Sequence, residues 1–270
     1  MSDCPHNAGP VSAQGGASLP LPAGVPADAE AWRALLSGPA EAAAQALYQA
    51  ALAGDAEAQL LYGQHLLDGA GVVCDPAAAL GWFHAAAQAG LPAAINMVGR
   101  CLDQGWGTPP DPAAAAAWFE AAAARGLDWG LYNLATALAL GRGLAQDRPR
   151  ALALFRRAAA MGHAKSMNMV GSFHEDGWSV PPSRLLAAYH YARAAEGGDF
   201  RGAFNHARLL IEEDQSEAAL PWLNRAHAAG TARFAGQMAA WLAARPEPAL
   251  RQAAARWQAE TPAESHPRAA

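Results

Sequence analysis

The chain has 270 residues, 52% of them hydrophobic and 16% charged, with a formal net charge of −5 at pH 7. The 19 Lys and Arg stand singly or in pairs, so there is no basic footprint for a nucleic-acid partner. No apolar run approaches the roughly 18 residues a bilayer span requires, and Met1 to His6 is neither basic nor apolar, so a cytoplasmic protein without membrane insertion is expected.

Residues 1–26 are rich in Gly, Pro, Ser and Ala and carry little that is large and apolar, which predicts a disordered tail. Residues 27–54 read as two short helices split by Ser37-Gly38-Pro39, a degenerate N-terminal cap. The three cysteines, Cys4, Cys74 and Cys101, form no CxxC pair and are expected to be reduced thiols. Cys4 and His6 supply only half of a metal site, and nothing nearby completes it.

From there the chain repeats itself. Gly54, Gly90, Gly126, Gly162 and Gly198 fall at intervals of 36 residues. Between them, Gly69-Ala70-Gly71, Gly105-Trp106-Gly107, Gly141-Arg142-Gly143 and Gly177-Trp178-Ser179 keep the same spacing, followed by Asp75, Asp111, Asp147 and Ser183. A period of this size signals stacked supersecondary units, none of which buries its apolar face alone. Four full repeats are expected at 55–90, 91–126, 127–162 and 163–198. In each, a first helix runs to the Gly-x-Gly turn and a second runs from the Asp column to the terminal glycine.

The local chemistry agrees with that division. Asp75-Pro76 and Asp111-Pro112 set a capping carboxylate before a proline whose missing N–H costs nothing at a helix start. The terminal glycines suit the left-handed residue that ends a helix. Gly63, Gly99 and Gly171, with Ala135 and Ala207, keep one line of the first helices small, and Phe83, Phe119, Phe155 and Tyr191 stand ready on the second helices to fill it. A fifth repeat, 199–230, replaces the glycine turn with Glu212-Glu213-Asp214 and shortens the loop. Residues 231–258, carrying Trp241 and Trp257, read as C-terminal capping helices, and 259–270 as a frayed tail.

The unit Leu60, Tyr62-Gly63, Leu66, Gly69-Ala70-Gly71-Val72, Asp75, Ala79, Trp82-Phe83, Ala86-Ala87, Gly90 resembles the Sel-one-like repeat, a relative of the tetratricopeptide repeat. The likeness covers about 55–230, departing at Ser179, Ser183 and the cut fifth loop, which puts the geometry of those loops in question. It implies an all-α, right-handed solenoid of antiparallel helix pairs that acts as a non-catalytic adaptor, probing proteins or peptides with its concave face. It implies no cofactor.

A helical period of 100° per residue puts the glycine column on the inner side of each first helix and leaves the opposite line free to vary. On that line Met97, Arg100, Trp129, Asn133, Lys165, Met169, Asn205 and Arg208 are the candidate partner-binding residues, an apolar centre with a polar rim. The competing reading packs Met97 and Met169 between repeats. Trp106 and Trp178, in equivalent turns, are candidate contacts or folded-back cover. His174-Glu175-Asp176 invites a metal reading, but consecutive residues on a helix diverge, and His174 sits in a leucine column, which predicts an interior histidine. His190, in the column of Trp82 and Trp118, is likewise expected to pack. No nucleophile elbow, phosphate loop or ligand-spaced His pair occurs, so no enzyme is expected. The main expectation is a monomeric cytoplasmic scaffold. The alternatives are a metal-binding or enzyme-accessory protein using His65, His174 and His206, and a regulator of envelope processes acting from the cytoplasmic side.

Overall fold

The computed structural model describes residues 28–260, with side-chain surroundings to residue 257. The tail expected over 1–26, together with Cys4 and His6, lies outside the described residues, as does the tail expected over 259–270 except for Ala259 and Glu260, which end a helix. Those described are all-helical, without a strand, and build an α-solenoid in two compact units divided after Asp147. The first unit holds α1 (Ala29–Leu36), α2 (Ala40–Leu52), α3 (Ala56–Asp68), α4 (Pro76–Gln88), α5 (Pro92–Gln104), α6 (Pro112–Ala124) and α7 (Asp128–Leu140). The second holds α8 (Arg148–Ala160), α9 (Ala164–Asp176), α10 (Arg184–Glu196), α11 (Phe200–Glu212), α12 (Ser216–Ala229), α13 (Ala232–Ala243) and α14 (Pro248–Glu260). No helix among the described residues is long and apolar enough to cross a membrane.

The caps and turns follow from the residues that form them. The Asp75 carboxylate accepts from the backbone N–H groups of Ala77 and Ala78. The Asp111 carboxylate accepts from Ala114, and the Ser183 hydroxyl from Leu186. Each inter-helix loop closes with one more shared bond, in which the capping residue donates its N–H back to the first helix. Asp75 donates to Leu66, Asp111 to Leu102, Asp147 to Leu138 and Ser183 to His174, at 2.9, 2.8, 2.9 and 2.7 Å. The fourth loop therefore keeps the geometry of the others despite its serines. Ser179 takes the place of the second turn glycine at φ 64°, a left-handed conformation that costs a residue with a Cβ about 1–2 kcal/mol.

The second turn glycine is required by contact as well as by dihedral. A Cβ on Gly107 would collide with the backbone at Pro76, and one on Gly143 with the backbone at Pro112. Each turn thus packs against the start of the preceding repeat's second helix, and this repeated contact links neighbouring units of the array.

Inside a repeat the small column meets the aromatic one, as the spacing predicts. A Cβ on Gly63 would lie 2.6 Å from the Phe83 ring, on Gly99 2.7 Å from Phe119, and on Gly171 2.6 Å from Tyr191. The cores run across repeat boundaries. Leu60, Leu67, Phe83, Ile95, Val98 and Cys101 are buried together in the first unit, and Leu223, Met238, Leu242, Leu250 and Trp257 in the second.

The Cys74 sulfur lies 3.5 Å from the Leu67 carbonyl oxygen. Cys101 is a free thiol, fully buried, and burial pushes its pKa up to about 12, so it stays protonated and unreactive.

Candidate functional site

The variable line of the first helices is occupied differently in the two units. In the first, Met97 is 5% exposed and belongs to the second repeat's core, which takes it out of any surface patch. Met97 thus follows the packing alternative, while Asn133, Met169 and Asn205 in the same column are half-buried. What remains accessible lies around it. Arg100 is half-buried, donates weakly to the Met97 sulfur at 3.4 Å and lies 4.9 Å above the Trp106 ring. Trp106 folds back against the repeat's core, so the loop tryptophan is covered on its inner side by α5 and α6 and stacked on its outer side by the guanidinium. Trp129 stands half-buried, edge-on to Tyr132 at 5.9 Å.

Asn133, also half-buried, donates its amide N–H to the buried Asn96 side chain at 2.8 Å. Asn133 borders a cavity of about 170 Å³ lined from α5, α6, α7 and the turns after α5 and α7, with Arg100, Asp103, Trp106, Thr136 and Arg142 among its walls. Asp103 is engaged at its rim, with Arg142 3.1 Å from its carboxylate and 2.8 Å from its carbonyl. Burial lowers the Arg100 pKa, and the nearby Cys101, Asp68 and Asp103 oppose that shift. Among the described residues Arg100 has no carboxylate at ion-pair distance.

In the second unit the same columns hold Lys165, Met169 and Asn205, all half-buried. Asn205 donates to the buried Asn168 at 2.9 Å, repeating the Asn133–Asn96 bond. Arg208 is spent inside the molecule: it grips Glu175 at 2.7 Å through both carboxylate oxygens and reaches Glu212 at 2.9 Å. Glu175 also accepts from the Tyr191 hydroxyl at 2.7 Å. Trp178, 37% exposed, leans edge-on against Phe173 at 5.5 Å with Arg148 stacked above it at 4.9 Å.

The asparagine pairs escaped the reading of the candidate line, yet a signal exists. Asn96-Met97-Val98-Gly99 recurs as Asn168-Met169-Val170-Gly171, 72 residues on, a double period laid over the single one. Each asparagine of this motif sits beside a methionine and bonds to the asparagine that replaces the methionine in the next repeat.

The histidines are occupied locally. His174 is 7% exposed and stacks parallel to His190 at 5.7 Å. The Arg156 guanidinium reaches its Nε2 at 3.4 Å, while its Nδ1 has no partner among the described residues. Burial, with Arg156 adding to it, lowers its pKa and keeps the imidazole neutral. The Nδ1 of His65 bonds to the Ala70 carbonyl at 2.8 Å, in the turn, and His206 packs edge-on to Trp222 at 4.7 Å. Among the described residues no group of three or more His, Cys, Asp or Glu side chains is placed to hold a metal ion.

Comparison with known proteins identifies the repeating unit. The Sel1 repeat matches residues 56–91, 92–127, 130–163 and 164–199. A Sel1 repeat protein from Oxalobacter formigenes is similar in structure, with a TM-score of 0.74 and 24% identity over 86% of this chain and 98% of its own. The protective antigen c5321 of uropathogenic Escherichia coli, which displays the same kind of fold, aligns with a TM-score of 0.61 and 25% identity over 81% of this chain, which spans 48% of that one. A Klebsiella pneumoniae protein described as a putative Sel1 repeat protein aligns with a TM-score of 0.52 and 18% identity, over 72% of this chain and 96% of its own. No curated protein matches the chain at a significant level.

Proposed function

The chain belongs to the Sel1 repeat family, whose members generally mediate protein–protein interaction, and from that premise we propose that it is a non-catalytic, monomeric adaptor. It recruits a protein or peptide through the exposed side of its first helices, the concave side of such a stack. One observation carries the reading: around the cavity between α5 and α7, half-buried aromatic and polar groups at positions outside the repeat register converge on open space. Trp106, Arg100 and Asn133 form the contact set there, with an apolar floor and a polar rim, and Trp129 on α7 is proposed to extend it. On the second unit, taken by itself, Lys165, Met169, Asn205 and Trp178 are proposed contact residues, with Arg208 as a bracing residue.

The test is affinity capture from native lysate with the full chain and its Trp129→Ala and Asn133→Ala variants, each first shown to melt like the wild type. A partner held by the wild type and released by both variants supports the adaptor. Capture that both variants leave intact refutes this face.

A further inference from the structure

The same column of the first helices carries Arg100 in the second repeat and Arg208 in the fifth, in register through the intervening repeats. Arg208 shows what that position holds when it is satisfied. It takes the carboxylate of Glu175, one repeat earlier, at 2.7 Å to both oxygens. The residue that corresponds to Glu175 for Arg100 is Leu67, which is 1% exposed in the core. Arg100 is thus built like Arg208 but deprived of its acid. Asp103, in the Glu175 column, has the opposite deficit. Its column arginine is replaced by Thr136, and it takes Arg142 from the next turn instead.

The outcome is a cavity of about 170 Å³ lined by two guanidiniums and one carboxylate, with the Asp68 carboxylate near enough to act on Arg100 without pairing to it. The space is below the roughly 300 Å³ at which pockets for small-molecule ligands begin, and it suits one side chain. Trp106 fixes the Arg100 plane from one side, which cuts the entropy lost when the guanidinium takes a planar oxyanion. Leu140, 67% exposed at the edge, offers apolar surface to whatever flanks that group.

Building on the adaptor reading, we propose that this cavity receives the side-chain carboxylate of a Glu or Asp in the partner polypeptide. Arg100 holds the carboxylate, and the second amide N–H of Asn133 is the neutral donor beside it, the Thr136 hydroxyl being spent on the Tyr132 carbonyl. One guanidinium without an ion pair matches a singly charged carboxylate, where a phosphate would bring surplus negative charge next to Asp103 and Asp68. The carboxylate on Arg208 comes from a side chain, and the same source is assigned here.

The test pans the full-length protein against a displayed library of random peptides, then measures end-capped synthetic copies of the recovered sequences by fluorescence anisotropy. Capping removes terminal carboxylates as a source. The recovered peptides should share one acidic position. Changing that residue to its amide should weaken binding about tenfold or more, as loss of a charge-assisted pair does. Against Arg100→Gln the acid and its amide should bind alike, because the two substitutions remove one interaction, and Arg100→Lys should restore part of the preference. If Arg100→Gln does not fold, the peptide series and Arg100→Lys decide the matter. Peptides that bind without an acid yet depend on Asn133 overturn the carboxylate assignment and leave the adaptor standing. Binding that needs a free C-terminus or a phosphoserine overturns the assigned source. Recovery of no peptide, or of peptides indifferent to both Arg100→Gln and Asn133→Ala, overturns the adaptor reading at this face as well.

Discussion

Gly81 and Gly99 both lie inside helices, and replacing each with alanine should move stability in opposite directions. Gly81, on α4, is exposed, and a Cβ there would meet nothing within 4 Å. The substitution should therefore collect the helix-propensity gain of about 1 kcal/mol. At Gly99 the same gain is opposed by a collision: the new Cβ would lie 2.7 and 2.8 Å from two Phe119 ring atoms and 3.2 Å from the Trp118 Cβ. Phe119 is 4% exposed and has little space into which to retreat. Overpacking of this kind costs about 1–3 kcal/mol, so Gly99→Ala should destabilise by about 1 kcal/mol net. Ala135 occupies the same column in the third repeat, which places the cost toward the lower end.

The two variants should then differ by about 2 kcal/mol, or roughly 4–8 °C in Tm at ~2–4 °C per kcal/mol for a chain of this size. Thermal unfolding followed by circular dichroism measures the difference. A further change, Phe119→Leu in the Gly99→Ala background, should recover part of the loss by opening space for the methyl. Equal rises in Tm for both alanine variants would show that the ring yields freely, and the account of the glycine column as a steric requirement would be wrong.

Phe119→Ala should cost about 3–5 kcal/mol, because it empties the centre of a core column that Gly99 cannot collapse to fill; a loss under about 1 kcal/mol in chemical denaturation would contradict the packing described. Ser179→Gly should raise stability by about 1 kcal/mol, since Ser179 sits at φ 64° where its siblings are glycines; an unchanged Tm would mean the serine side chain offsets its own strain. His174→Leu restores the residue of its column and removes a buried Nδ1 without a partner, with an expected gain of about 1 kcal/mol. The gain should grow on acidification. Burial holds the folded pKa of both His174 and His190 below 6.5, so the unfolded chain takes up protons first and stability is lost as pH falls below that value. Urea titrations at neutral and mildly acidic pH check the sign, and a wild-type stability that rises on acidification in this range would reverse it.

Much of the architecture was legible because its determinants are local. Asp-Pro starts, glycine ends and the 36-residue spacing act within one repeat or between neighbours, and a small column opposite an aromatic one has a single packing solution, realised in Gly63–Phe83, Gly99–Phe119 and Gly171–Tyr191. The fourth loop shows the same strength. Its serines break the motif, yet the loop closes with the same backbone bond because helix ends on both sides impose it.

The candidate surface was less legible, since a helical wheel assigns angles and not neighbours. Met97 and Arg100 fall on one predicted line, but the first points into its repeat's core and the second stays half-exposed over Trp106. Arg100 and Arg208 are indistinguishable as members of one column; only their surroundings separate them, a Glu175 carboxylate on one and Leu67 in the matching place for the other. The sequence by itself determined the repeat, its caps and its core columns, because those depend on residues a fixed distance apart along the chain. The tertiary structure decided which variable side chains are buried, paired or left facing a cavity, because those states depend on what the adjacent repeat contributes across a few ångströms of space.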